Sequence, residues 1–550
     1  MIVSDKDKIE TYTGLGVWGE LTLDGLLAQT ARETPEHTAL IDPPNKEEIC
    51  AAPPLRFTYA EADAVVDRLA DTFLTLGLKP DDIVALQLPN SAEAVLTILA
   101  CSRAGLIVCP LPVIWREHEL REALPNIAPS ALITANRICG VAHAEMMRQV
   151  AVDLMTVRFV LGFGNELPDG VMSLQEALIG AGEGGSSPRR SAFDPNSILT
   201  LTWQSELMRR GLTIPRSHNQ WVSAGLMLLL EAGLDADSVI LNPYPPSSLA
   251  PLAMISAWLL SGGTLVQHHP FSHAVFLDQI DAEEISFTML PPGADTLFSD
   301  QDRDMMKARL NAMGCVLIGG LPAGEDAAPL NGMARNTIDI EVLDEYALLA
   351  TRRREGRLQR AFAMGAVERP THSMDRIALA ELNISGPGRQ TGGATLMLQS
   401  PMAFDSFFPP AIGENGNHPI VDASGFLDTG LPCALTDDDP PRLEISRQRG
   451  DVFIHGGVPV SAHELDSLYA SHEALSDAAA LSVDDPVMGQ RILAAIVPNP
   501  GLEVSFEEFR DFLVARKVAP YKIPERMVTV KSIPRGEHGE VLRDDVIDQV

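Results

Sequence analysis

Short apolar runs alternate along most of the chain with longer segments whose apolar residues recur at helical spacing. Residues 82–88 (Asp-Ile-Val-Ala-Leu-Gln-Leu) read as a buried strand, 91–104 as a helix, and 105–109 (Gly-Leu-Ile-Val-Cys) as the next strand. A strand that is apolar throughout has both faces covered, so this alternation predicts stacked βα units around parallel sheets. A Gly/Ser/Pro-rich break at 180–188 closes one such region as a flexible connection. A second break, Asp-Asp-Asp-Pro-Pro at 437–441, precedes a new start at Arg442. Beyond it, 492–497 reads as a strand, 506–516 as an amphipathic helix and 527–530 as another strand. That makes a small α+β unit of about a hundred residues, a size that folds alone. The pattern contains no internal repeat.

The most apolar stretch, 249–260, lies in a segment with no formally charged residue between Asp237 and Asp278. Pro251 and Gly262-Gly263 interrupt it before it reaches the roughly 20 residues that a membrane-crossing helix needs. It reads as a buried helix, a glycine turn and a core strand at 264–267, not as a membrane span.

With 550 residues, 45% of them hydrophobic, the chain supplies a large multi-layer domain and a smaller one. A formal net charge of -32 argues against binding nucleic acid or anionic membranes through a general positive field. The six cysteines are widely separated, without a Cys-x-x-Cys pair, and read as reduced, mostly buried thiols of a cytoplasmic protein. The N-terminal Met-Ile-Val-Ser-Asp-Lys-Asp-Lys has no basic region leading into an apolar stretch, so no secretory signal is visible. His268, His269 and His273 have no cysteine or carboxylate at ligand spacing and are expected to be surface histidines at a strand end. Ser247-Ser248 has no His/Asp partner in local sequence, which leaves a hydrolase triad unsupported.

A series of landmarks runs in order along nearly the whole chain. It begins with Leu21-Thr-Leu-Asp24, Phe57-Thr-Tyr59, Leu88-Pro-Asn90 and Arg116-Glu-His-Glu-Leu120. It continues through Gly319-Gly320, Gly425-Phe-Leu-Asp-Thr-Gly430 and Gly456-Gly457 with Glu464. It ends with Asp484-Asp-Pro486, Tyr521-Lys-Ile-Pro-Glu-Arg526 and Ile533-Pro-Arg-Gly-Glu-His-Gly-Glu-Val-Leu-Arg543. In this collinear set the chain resembles the AMP-forming acyl-CoA synthetases of the adenylate-forming superfamily. The resemblance implies an α/β fold: a large N-terminal adenylate-forming domain of several subdomains, residues 1–445, and a small α+β cap, residues 446–550. Gly450 would be the hinge, and Tyr521, Lys522 and Arg526 would lie on the CoA side. The ligands so implied are ATP or AMP, CoA, and a small carboxylic acid or acyl-CoA.

The chain departs from the family at the positions that handle the nucleotide. Glu540 stands where the family has its catalytic lysine, a charge reversal beside two negatively charged reactants. With His218 on the family histidine, the phosphate loop aligns to 204–213, and its early glycines become Glu206 and Arg209 and its lysine Leu212. Glycines let a backbone turn its N–H groups onto phosphate at close range, which side chains obstruct. Two readings stand for Arg209 and Arg210: replacement phosphate ligands, or a solvated basic turn. The family's Tyr-Gly-x-Thr-Glu becomes Tyr346-Ala-Leu-Leu-Ala350, which has no side-chain oxygen for magnesium at Leu349 or Ala350. Tyr346 is either a stacking platform or a half-buried aromatic at a strand end. Thr-Gly-Asp becomes Thr429-Gly430-Leu431, and the ribose-assisting arginine aligns with Gln448 between Arg447 and Arg449. Those two arginines are either substitutes or part of a polar hinge.

Because the framework persists while these elements depart together, the expectation is a pseudo-ligase that binds an acyl or acyl-CoA ligand. Its vestigial nucleotide pocket would comprise Ser205, Arg209, Gly319, Gly320, Tyr346, Thr429, Arg447 and Arg449, with no catalytic residue assigned and no magnesium. One alternative is an active ligase in which Arg209, Arg210, Arg447 and the run Arg352-Arg353-Arg354 replace lost groups; read without function, that run is a solvated loop. The other is a structural subunit of an active paralogue. A homo-oligomer is compatible with each.

Overall fold

The computed structural model describes residues 1–180, 193–204, 211–318, 329–371, 376–385, 394–409, 421–422, 424–445, 452–456, 458–485, 489–536 and 539–549. Among them two large sheets dominate. One has seven strands in the order Met172–Ser173, Phe159–Phe163, Ala131–Ala135, Ile83–Gln87, Ile107–Pro110, Ile198–Thr202 and Ile214–Ser217. Its pairs are parallel except the last. The other runs Ala347–Arg352, Asn336–Leu343, Ala312–Ile318, Phe287–Leu290, Val239–Asn242, Thr264–Gln267, Thr38–Ile41 and Arg56–Thr58, parallel inside and antiparallel at both ends. The run expected at 82–88 forms Ile83–Gln87, buried at every position.

Helices packed on these sheets share one apolar core with them. All thirteen residues of Ala92–Ala104 are buried, the signature of a helix covered on every side. The apolar stretch at 249–260 forms the Leu249–Ser261 helix, stopped by Gly262 at φ 73 and followed by Thr264–Gln267. It packs against His218–Ala232 so closely that a Cβ at Gly225 would sit 2.8 Å from the Ala257 nitrogen. No helix among the described residues is long and apolar enough to cross a membrane.

A third, antiparallel sheet joins Ala361–Ala363, Arg442–Ile445, Leu427–Leu435, Thr395–Gln399, Arg376–Ile384 and Gly365–Pro370. The break at 437–441 is therefore not a new start. Arg442–Ile445 returns to pair with Leu427–Leu435 and with Ala361–Ala363. The change of sheet falls instead between Ile445 and Val452, where Val452–His455 opens the terminal sheet with Val458–Ser461, Gly489–Pro498 and Leu475–Asp485. Arg526–Thr529 adds in parallel to Gly489–Pro498. The helices Ala462–Ala470 and Phe506–Ala515 bury Leu465, Tyr469, Phe509 and Leu513 against this sheet in a separate apolar cluster. The chain is thus an α/β protein with a large N-terminal part and a small C-terminal domain.

The thiols of Cys50, Cys101, Cys109 and Cys315 are buried, Cys433 is partly buried and Cys139 is exposed.

Candidate functional site

In an open parallel sheet the carboxyl ends of the strands leave a crevice, because the chain turns away there to start each helix. A cavity of about 330 Å³ occupies this position. Trp115 follows the Ile107–Pro110 strand, Trp203 follows Ile198–Thr202, and Tyr244 follows Val239–Asn242. Ile318 and Val342 come from the carboxyl ends of the strands Ala312–Ile318 and Asn336–Leu343. The terminal domain closes the cavity with Val452, Ile454, Val458, Pro459 and Tyr521. The two indoles lie 5.9 Å apart and tilted by 59°, and Trp203 is fixed by its Nε1–H donating to Cys109 Sγ at 3.1 Å.

A few polar groups interrupt this apolar lining. Gln204 Nε2 donates to Asp344 Oδ2 at 2.7 Å. Glu345 accepts from the Leu249 N–H at 2.8 Å, at the start of a helix whose dipole favours a carboxylate. Behind it, the fully buried Arg216 donates to the Glu345 and Tyr346 carbonyls and lies over the Trp221 and Phe404 rings. Burial pushes the Glu345 carboxyl up to about 7, with Arg216 opposing the rise. Across the cavity, Lys522 pairs with Glu464 and Glu119. Burial alone would depress its ammonium, but Tyr521, Glu464 and Glu119 raise it above the ordinary lysine value.

Glu119 was present in the sequence only as part of a landmark, yet it joins the two domains. Its carboxylate, wholly buried in the first turn of Glu117–Ile127, accepts from the Arg116 N–H at 3.0 Å and the Ala519 N–H at 3.1 Å. Beside it, Lys517 pairs with Glu117 and its carbonyl accepts from the His118 N–H at 3.3 Å.

Of the residues expected at the site, Tyr521 and Lys522 line the cavity, while Arg526 is exposed at the start of the Arg526–Thr529 strand. Tyr346 is buried and stacks on Phe404 with centroids 5.6 Å apart. The Thr429 hydroxyl turns into the sheet, donating to the Leu396 carbonyl at 2.9 Å and accepting from the Leu431 N–H at 3.1 Å. It is Leu431 that faces the cavity. Leu349 and Ala350 are buried inside the Ala347–Arg352 strand, within the main apolar core. Glu540 is exposed beyond the terminal sheet and does not line the cavity. Ser205, Arg209, Gly319, Gly320, Arg447, Arg449 and Gly450 lie outside the described residues.

Two expectations are corrected. His268 is not at the surface. It is buried, with Nδ1 2.6 Å from Gln279 Oε1 and Nε2 accepting from the Ser272 N–H, while Phe271 and Phe276 pack on its ring. His269 lines the cavity, burial holding it down at about 4 and therefore neutral. Among the described residues no group of three potential ligands is placed to hold a metal. The run Arg352-Arg353-Arg354 is not simply a solvated loop either, since Arg353 is bound to the buried Asp339 at 2.6 Å. Arg352 is engaged by Glu231.

Comparison with known proteins gives a consistent frame. The model of the AMP-binding enzyme family matches residues 27–205, and that of the AMP-binding enzyme C-terminal domain matches residues 464–540. The salicyl-AMP ligase / salicyl-S-ArCP synthetase of Mycobacterium tuberculosis is 26% identical over 99% of this chain and 93% of its own length. An o-succinylbenzoate CoA synthetase from Bacillus subtilis, a double mutant bound with a product analogue, superposes with a TM-score of 0.72 at 20% identity, over 96% of this chain and 99% of its own. An amide bond synthetase from Marinactinospora thermotolerans gives 0.72 at 19% identity, with coverage of 96% and 99%. These two structures share the fold.

Proposed function

Because this chain belongs to the adenylate-forming superfamily of AMP-binding enzymes, we propose that it is a pseudo-ligase. In this reading it keeps the two-domain shell and the cavity, holds an acyl or acyl-CoA ligand there, and no longer makes an adenylate. Leu431 carries the proposal: where the resemblance calls for a carboxylate to accept both ribose hydroxyls, an isobutyl group faces the cavity. A buried polar contact that loses its partner is costly, so a ribose placed there would be left with unpaired hydroxyls.

Other positions agree. Magnesium takes hard oxygen ligands, and Leu349 and Ala350 offer only hydrocarbon packed into the core. The residues present therefore do not fit a magnesium-bound nucleotide at that motif. Of the cations an active ligase would recruit as substitutes, Arg353 is paired with the buried Asp339, and the Arg352 guanidinium donates to the Glu231 carbonyl. The cavity walls, by contrast, suit an apolar acyl or aryl group, the class of ligand named for the relatives.

The experiment is a pair of measurements on the full chain. Acid-dependent ATP–pyrophosphate exchange is expected to be absent, while aromatic and branched acyl-CoAs raise the melting temperature. Robust exchange would overturn the reading in favour of an active ligase. Neither exchange nor any acyl-CoA response would favour a structural subunit, and co-purification of an active paralogue would establish one.

A further inference from the structure

The acidic wall of the cavity has no role in holding an acid, a thioester or a phosphate. Asp344 and Glu345 are consecutive, line the cavity, and both adopt left-handed backbone conformations, φ 49 and 62. Two in succession are what a tight hairpin turn takes, and here they join Asn336–Leu343 to Ala347–Arg352, with the Tyr346 N–H donating to the Leu343 carbonyl at 2.8 Å. Other groups fix the side chains. The Arg216 guanidinium holds the Glu345 carbonyl, the Leu249 N–H holds its carboxylate, and Gln204 holds that of Asp344. The result is two carboxylates placed side by side at the edge of an apolar chamber.

Among the described lining residues, Lys522 is engaged by Glu464 and by Glu119 behind it, and the other two carboxylates are Asp344 and Glu345, with Arg216 behind Glu345. An anionic head group entering the chamber meets repulsion from the wall and finds Lys522 already neutralised. A cationic head group meets the opposite field, in a cavity that Trp115 and Tyr244 also line.

We propose that the ligand of this cavity is an apolar, preferably aromatic, molecule bearing a primary amine, held as the ammonium by Glu345 with Asp344 beside it. This rests on the cavity being the ligand site, and it specifies the class of acyl group proposed above as one that carries an amino substituent. The groups facing Glu345 are Arg216 from the Ile214–Ser217 strand, Asp344 on its own turn, the Leu249 N–H, and Lys522 with Glu464 across the cavity. Because burial raises Glu345 to about 7, amine binding strengthens as pH rises from 6 to 8 and this carboxyl ionises.

The test is calorimetry on the full chain at pH 8 with three probes that share one skeleton: 4-phenylbutylamine, 4-phenylbutan-1-ol and 4-phenylbutanoate. The amine is expected to bind at least tenfold more tightly than the alcohol, and the acid more weakly than either. Glu345→Gln, which keeps the acceptor for the Leu249 N–H, should abolish the amine's advantage and leave the alcohol within about twofold. Asp344→Asn should remove part of it. A preference for the acid, or an amine advantage that survives Glu345→Gln, overturns the amine assignment and leaves the cavity as the ligand site. Alcohol binding that a cavity-filling Leu431→Trp does not weaken overturns the cavity itself, and binding of no probe overturns both.

Discussion

Lys522 Nζ lies 3.3 Å from Glu119 Oε1, joining the terminal domain to the first turn of a helix in the large part. Neither group sees solvent, so each depends on the other and on Glu464. Removing one member of a buried pair leaves an uncompensated charge, which typically costs about 3–5 kcal/mol, more than the pair contributes over an apolar replacement. Lys522→Met is therefore expected to destabilise the protein by about 3 kcal/mol in urea unfolding. Adding Glu119→Gln should return part of that loss, because the stranded charge is gone. A double-mutant cycle with no coupling between the two positions would show that the contact does not exist in solution.

Glu345 predicts a pH dependence of stability. Its carboxyl is raised from 4.5 to about 7 by burial, so between those values the folded protein holds a proton that the unfolded chain has released. Stability then falls as pH rises through this window, by about 3 kcal/mol at about 1.4 kcal/mol per pH unit. Glu345→Gln removes the titration and leaves Arg216 and Asp344 in place. Relative to the wild type, this variant should gain about 2.5 kcal/mol of stability on going from pH 5 to pH 8. Parallel stability profiles for the two proteins would show that Glu345 titrates normally.

Such contacts explain which parts of this molecule could be read from its sequence. Ile83–Gln87 and Leu249–Ser261 were visible because a fully covered strand or helix must be apolar along its whole length, and glycine marks where the chain turns. Leu431, Leu349 and Ala350 were visible as exchanges of polar for apolar residues, although which of them face the cavity was not. Glu119 and Lys522 belong to different domains, and nothing local marks either as buried. Asp344-Glu345 has the composition of any acidic surface turn; its place is set by Arg216 and Leu249, far away in the chain. His268 followed by His269 and Pro270 resembles an exposed loop, but Gln279 and Phe276 of the next helix, with Phe271 and the Ser272 N–H, enclose it. Asp437 to Pro441 looks like a linker because turn residues are alike whether they join two domains or two strands of one sheet.

ATP binding is expected to be weak and indifferent to magnesium. The cation normally bridges nucleotide and protein, and Ala350 offers it no side-chain oxygen. Calorimetry with and without magnesium should give the same dissociation constant, at or above the millimolar range. Micromolar, magnesium-dependent binding would show that groups elsewhere have taken over the metal site.

Restoring lysine alone, by Glu540→Lys, should not restore adenylation. The substitution replaces an anion with a cation at an exposed position of the terminal domain. But Glu540 does not line the cavity, so its replacement leaves the cavity wall unchanged. Leu431 would still present hydrocarbon to the ribose, the carboxylates of Asp344 and Glu345 would still face any phosphate, and no oxygen would hold magnesium at position 350. Losing a single preorganised group commonly costs a hundred- to a thousandfold in rate, and under the proposed reading several such groups are missing at one transition state. Acid-dependent pyrophosphate exchange is to be compared in the wild type, in Glu540→Lys, and in a variant that adds Glu206→Gly, Arg209→Gly, Leu212→Lys, Leu349→Thr, Ala350→Glu and Leu431→Asp. Any activity should appear only in the combined variant, since the lysine stabilises charge on a nucleotide that the other positions must first hold. Exchange recovered by Glu540→Lys alone would mean that the nucleotide is already held and that a single charge, not the pocket, silences the enzyme.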